Sequence, residues 1–192
     1  MALTATRFEF RISLAHVERG RTGDRIVIAA RHPSETHARL TLRVLARCFF
    51  DEDNLEFGPD LSSSNAVDLW TKDLTGEVTT WIACGGVAAD KLRKIALHHR
   101  GVHTHVVFDD PTRADAFAAE LTEAGRWGRG AQPPGLWTFD PDLVATLAAN
   151  EQRRQKWTVT VVGDHVYVEA DGNPVDGAIT RTPLDESALR AS

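Results

Sequence analysis

At 192 residues, with 42% hydrophobic and 26% charged residues, the chain is long enough for one domain with a substantial core and has an ordinary globular composition. A net charge of −5 excludes attraction of the whole molecule to nucleic acid, so any phosphate contact has to be local. Cys48 and Cys84 have no metal-ligand spacing and imply no disulfide, MALTATRFEFR has no apolar signal core, and no run approaches the ~20 apolar residues of a membrane helix, so a reduced, cytoplasmic setting is expected.

Residues 4–17 alternate, with Phe8, Phe10, Ile12 and Leu14 on one face, which predicts a half-buried strand. Residues 19–24 read as a hairpin loop, and 25–30 as the returning strand. The stretch RHPSETHARLTLRVLARCFF predicts a helix capped near His32, with Pro33 first, Glu35 in the first turn, and an end near residue 49. Its inward stripe is Ala38, Leu42, Leu45 and Phe49, and Glu35 continues that stripe. A short strand near 55–57 precedes the hairpin VDLWTKDLTGEVTTWIACGG, which turns at Leu74-Thr75-Gly76. A helix at 88–99 and a strand at 102–108 follow. Asp110-Pro111 opens a helix that stops at Gly125, and Asp140-Pro141 opens a shorter one. Between them lie a breaker-rich loop and a strand at 136–139. Residues 156–162 and 165–169 form a hairpin around Gly163-Asp164. The tail from about residue 171 reads as turn-rich and loose. The expectation is a single α/β domain over residues 1–192, with a mixed sheet, flanking helices and hairpins at both ends.

Two carboxylates stand in places that ask for partners. Glu35 is inward at a helix start, where capping is the simpler role. Asp68 sits in the apolar context Ala66-Val67-Asp68-Leu69-Trp70, where a charge needs a counter-charge, a metal or water. On the following strand, Glu77, Thr79, Trp81, Ala83 and Gly85 share a face by the period of two, so the far end of that face carries no functional group. His103 and His105 also share a strand face, a spacing able to bind zinc. Lys91, Arg93 and Lys94 make the second helix locally basic and are candidates for phosphate contact, although a solvated helix face reads the same. The stripe Arg39, Arg43 and Arg47 and the cluster Arg153, Arg154 and Lys156 are read as solvated faces too. Trp127, in a Gly- and Arg-rich loop, is a candidate for base stacking; core packing is the commoner use.

The chain order, helix with an inward Glu, strand, strand with Asp, strand, helix, strand, resembles the core of the PD-(D/E)XK nuclease superfamily. ARHPSET at 30–36, the opening MALTAT, LWTKDLTG at 69–76, Trp81-Ile82 with Gly85, LRKIA at 92–96 and Leu136-Trp137 together resemble the YaeQ family over most of residues 1–170. That resemblance implies a PD-(D/E)XK-like fold with a nuclease-like core about 33–108, and assigns no activity. Carried over, Glu35 matches the acid of the HPSET motif and Asp68 the acid before Leu-Trp. Where relatives read W-I-E-x-G-x-P, this chain has Trp81-Ile82-Ala83-Cys84-Gly85-Gly86-Val87. Ala83 replaces the acid.

The resulting expectation is a degenerate nuclease-like site, with Glu35 and Asp68 as the remaining catalytic or Mg²⁺-holding candidates, in a protein that binds nucleic acid or a protein partner. No cofactor is required by this reading. The alternatives are a Mg²⁺-dependent nuclease with a rearranged acidic site, and a protein-interaction module without a nucleic-acid role.

Overall fold

The computed structural model describes residues 5–58, 67–125, 127 and 131–185. Their ten strands and four helices run β1 (Thr6–His16), β2 (Arg21–Arg31), α1 (His37–Phe50), β3 (Glu56–Phe57), β4 (Leu69–Lys72), β5 (Val78–Cys84), α2 (Ala89–His98), β6 (His103–Phe108), α3 (Pro111–Glu123), β7 (Gly135–Phe139), α4 (Pro141–Ala148), β8 (Arg154–Val162), β9 (His165–Ala170) and β10 (Asn173–Thr182). The fold is mixed α/β, and the chain divides into two compact units. One joins the residues up to Asp51 with Phe139–Ile179; the other joins Glu52–Thr138 with the chain from Thr180 onward.

The first unit orders its strands β2-β1-β8-β9-β10. β1 is antiparallel to β2 and parallel to β8, and β8, β9 and β10 form an antiparallel meander. The alternation read in β1 is realised: Phe8, Phe10, Ile12 and Leu14 are buried, and Phe10 meets Trp157 edge-on at 5.1 Å. The β1–β2 turn is tighter than expected. It takes Val17–Gly20, with Gly20 at φ 59°, and β2 begins at Arg21.

Helix α1 starts later than its sequence suggests. Thr36, not His32, is its N-cap, and the Thr36 hydroxyl accepts from Arg39 N at 3.2 Å. A hydroxyl that satisfies an orphan N–H outcompetes the preset φ of Pro33. Residues 32–35 instead form a turn closed by Glu35 N donating to His32 O at 2.8 Å, so Glu35 lies before the helix rather than in its first turn. α1 is also buried around most of its circumference, not on one stripe. The α1 arginines read as solvated are therefore partly buried and paired, whereas Arg153 and Arg154 are exposed: Arg43 is fully enclosed, and Arg47 lies 3.6 Å from Asp51.

The tail is the larger correction. Residues 173–182 are strand β10, antiparallel to β9. Asp171 (φ 49°) and Gly172 (φ 87°) make the two-residue turn for which Asp-Gly is suited. Its buried positions are Gly177 and Ile179, and Asp140 N donates to Ala178 O at 2.9 Å. So small an inward set hid the period-two signal. Residues 186–192 lie outside the described residues.

The second unit orders its strands β7-β6-β5-β4-β3. β3, β4 and β5 are antiparallel neighbours, whereas β5, β6 and β7 are parallel. Parallel strands need crossovers, and α2 and α3 supply them as the sequence predicts. Asp110 caps α3 through Thr112 N at 2.9 Å, and Asp140 caps α4 through Asp142 N and Leu143 N. The core here includes Trp81, Leu92, Phe108, Phe117, Leu121 and Trp127. Trp127 is 1% exposed, which removes it as a stacking surface. Burying a large aromatic anchors a breaker-rich loop better than displaying it. Residues 126 and 128–130 of that loop are outside the described residues, as are residues 1–4 of the MALTAT opening.

Candidate functional site

Asp68 immediately precedes β4 and is 4% exposed. Its backbone is tied on both sides: Asp68 N donates to Ile82 O at 3.2 Å, and Asp68 O accepts from Gly58 N at 3.0 Å. Leu69 is registered with Ile82, which sets Asp68 at the Ala83–Cys84 end of β5. The carboxylate accepts the Cys84 N–H at 2.8 Å. Ala83, read from the sequence as standing in place of an acid, is 4% exposed and belongs to the apolar core. Across from Asp68 the next strand thus presents a buried methyl group.

A positive charge stands near this acid. Burial in its α2 setting lowers the Lys91 ammonium from its ordinary value, and the negative charge of Asp68 opposes that shift. Lys91 Nζ lies 5.7 Å from the Trp81 ring centroid. Trp81 is the registered partner of Trp70 across β4 and β5, so the two indoles lie side by side on one sheet face. Lys72 Nζ is 3.7 Å from the centroid of the half-buried Trp70. Trp70, Trp81, Lys91, Lys94, Ile95 and His98 line an open groove of about 720 Å³ between these strands and α2. Trp81 forms its floor, while Trp70 stays accessible at its wall.

Of the other α2 candidates, Lys94 is exposed and borders the groove. Arg93 joins the ends of α2 and α3 instead, donating to Ala124 O at 2.8 Å and pairing with Asp90 at 3.5 Å. His105 Nδ1 accepts from Trp137 Nε1 at 3.2 Å, and His103 is exposed on the same strand. Among the described residues no group of three or more His, Cys, Asp or Glu side chains is placed to hold a metal ion.

Glu35 belongs to the other unit and has its own partners. Its carboxylate accepts from Arg39 at 2.8 Å, from Arg43 at 3.1 and 3.2 Å, and from His32 N at 3.2 Å. Arg43 also donates to Ala30 O at 3.1 Å, so Glu35 and Arg43 tie the HPSET turn and the end of β2 to α1. Two guanidiniums supply the positive charge that a buried carboxylate needs, and they repel a cation. Sequence reasoning missed two features. The Trp70–Trp81 pairing depends on the register of the 73–77 turn. The buried role of Arg43 was legible only as an interruption in the apolar pattern of α1.

The family model of the YaeQ protein matches residues 1–178. A curated relative from Salmonella typhi, bearing the name Uncharacterized protein YaeQ, is 34% identical over 182 residues, covering 94% of this chain and 97% of that one. Its namesake from Escherichia coli strain K12 is 24% identical over the same length and coverage. Among solved structures, the YaeQ protein from Pseudomonas syringae superposes with a TM-score of 0.81 at 26% identity, covering 93% of this chain and 96% of that chain. The YaeQ protein from Xanthomonas axonopodis pv. citri gives a TM-score of 0.80 at 27% identity, with coverages of 94% and 99%. The chain belongs to the YaeQ family and has its mixed α/β fold.

Proposed function

We propose that this YaeQ-family chain binds single-stranded nucleic acid in the cytoplasm without cleaving it, on a PD-(D/E)XK-like core whose acid cluster is incomplete. The observation that carries the reading is the groove in which half-buried Trp70, with the Lys72 ammonium over its ring, stands beside Lys91 and Lys94 on a floor formed by buried Trp81. Indole faces stack bases irrespective of sequence, and ammonium groups track the phosphates. The chain order α1-β3-β4-β5-α2-β6, with β5 and β6 parallel after an antiparallel meander, supports the superfamily placement.

Hydrolysis needs clustered anionic oxygens to hold Mg²⁺ against its reluctance to dehydrate. Ala83 removes one of them. Asp68 is committed to Cys84 N and to the field of Lys91, and Glu35 to two arginines. The proximity of Asp68 and Lys91 favours one second reading, a weak metal-assisted nuclease that uses this pair.

The test is titration of a fluorescent dodecamer of uridine or thymidine at low salt. A dissociation constant of about 10⁻⁶–10⁻⁴ M is expected. Trp70→Ala and Lys91→Ala/Lys94→Ala each weaken it roughly ten-fold, the loss of one stacked base or two phosphate contacts. Circular dichroism checks that the fold is intact. Failure to bind either oligomer overturns the proposal. Mg²⁺- or Mn²⁺-dependent cleavage that vanishes in Asp68→Ala overturns its non-catalytic part and selects the second reading.

A further inference from the structure

We propose that β2 is the pairing edge of a homodimer, onto which β2 of a second copy adds antiparallel about a two-fold axis at Val27. Strand β2 is the outermost strand of its sheet, eleven residues long, and among the described residues its registered partner is β1. Native edge strands are usually short, charged, bulged or interrupted by proline, because free N–H and C=O groups template pairing with another chain. The centre of β2, Ile26-Val27-Ile28-Ala29, has none of these devices; the charges Asp24, Arg25 and Arg31 stand to either side of it, and Ala30 O accepts from Arg43 of α1 at 3.1 Å. Val27 and Ala29 face the core, while Ile26 is 67% and Ile28 45% exposed. Two isoleucines displayed on an edge that is unprotected at its centre mark a surface that is covered in the working protein.

The sequence of β2 favours its own copy as the cover, in the register that brings its isoleucines together. Pairing has to keep outward residues opposite outward residues, so the summed positions of a pair must be even. Centring on Val27 sets Ile26 against Ile28 of the partner subunit, twice by symmetry, and joins four isoleucines in one cluster. In that register Arg25 faces the partner's Ala29, Asp24 the partner's Ala30 and Arg31 the partner's Gly23. No like charges meet. Centring one residue earlier opposes Arg21 to the partner's Arg31; centring one residue later opposes Arg25 to the partner's Arg31. Each arrangement is penalised twice over by directly opposed like charges.

The surroundings fit as well. Across β1, Arg11 is registered with Ile26 and Glu9 with Ile28, and Arg11 Nε pairs with Glu9 at 3.2 Å. The four isoleucines are therefore flanked on each side by an Arg11–Glu9 pair, an apolar centre within a polar rim. The contact is isologous and closes at two copies, which also protects β2 from open-ended aggregation.

Sedimentation and light scattering of the full chain, from low micromolar concentration upward, are expected to give a dimer. Ile26→Lys/Ile28→Lys alters only exposed side chains and is expected to give a folded monomer, with its circular dichroism unchanged. The register is read by disulfide capture. Directly opposed Cβ atoms come within about 4.5–5.5 Å, whereas diagonal ones stay about 7 Å apart. Ile26→Cys mixed with Ile28→Cys therefore cross-links, and each variant alone does not; Cys48 and Cys84 are buried and do not compete. A monomer at every concentration, a dimer that survives the two lysines, or self-linking of Ile26→Cys would each overturn the proposal.

Discussion

Glu35 carries its charge at 2% side-chain exposure because Arg43, equally enclosed, and Arg39 surround it. A buried pair is worth little relative to apolar replacements, but breaking it on one side strands the remaining charge, at about 3–5 kcal/mol. Glu35→Gln is therefore expected to lower the urea midpoint strongly, and Glu35→Gln with Arg43→Met to recover much of the loss. His37 is a second buried titratable group: its Nε2 donates to Asn150 O at 3.1 Å, and its Nδ1 faces Arg31 at 3.5 Å. Burial holds its pKa below the ordinary 6.5, and the Asn150 carbonyl only partly opposes this. The unfolded chain thus takes up a proton at a higher pH than the native state. Stability falls as pH drops through 6.5 toward the native value, and urea melts of His37→Gln should lose part of that acid-side slope. Ala83 tests the proposal of an incomplete acid cluster. Ala83→Glu buries a carboxylate beside Asp68, so its melting temperature should fall in chelator and rise again with added Mg²⁺, while the wild type stays indifferent to the ion.

At the scale of elements, Gly177 shows how β10 is fitted. A Cβ there would lie 2.6 Å from Asp140 Cβ and 3.0 Å from Leu143 Cβ, atoms too close to the backbone to swing away. Gly177→Ala should destabilise the fold by about 1–3 kcal/mol through overpacking, as a shifted urea midpoint with an unchanged slope. The same compactness explains why β10 escaped a reading by hydrophobic period, although Asp171-Gly172 after an alternating strand was a usable hairpin signal. Elements with a strong local code were legible. Asp110-Pro111 and Asp140-Pro141 are caps whose side chains bond the first-turn N–H groups, and β1 alternates without exception from Phe8 to Leu14. The start of α1 was misplaced because Pro33 and Thr36 both signal helix entry, and only the hydrogen bond to Arg39 N decides between them. The groove was illegible for a different reason. Asp68, Trp70, Trp81 and Lys91 meet through register and crossover, which no spacing along the chain encodes.

For the whole molecule, the formal charge of −5 and the nucleic-acid binding proposed for the groove edged by Lys91 and Lys94 pull in opposite directions. A negative body slows approach of a polyanion, so binding rests on the few cations that touch phosphate, and their number can be counted from the salt dependence. Each single-strand phosphate contact contributes about 0.7 to the slope of log K against log salt, so Lys72, Lys91 and Lys94 together give a slope of roughly −2. Removing any one of them should bring it to roughly −1.4. Trp70→Ala should weaken binding while leaving the slope where it was, because stacking releases no counterions. Titrations of a thymidine dodecamer at several salt concentrations separate these contributions. A slope that keeps its value in Lys72→Ala, Lys91→Ala and Lys94→Ala would place the phosphates elsewhere on the molecule. A slope near zero in the wild type would mean that the dodecamer is held by stacking on Trp70 without phosphate contact, which would remove the lysines from the proposed binding surface.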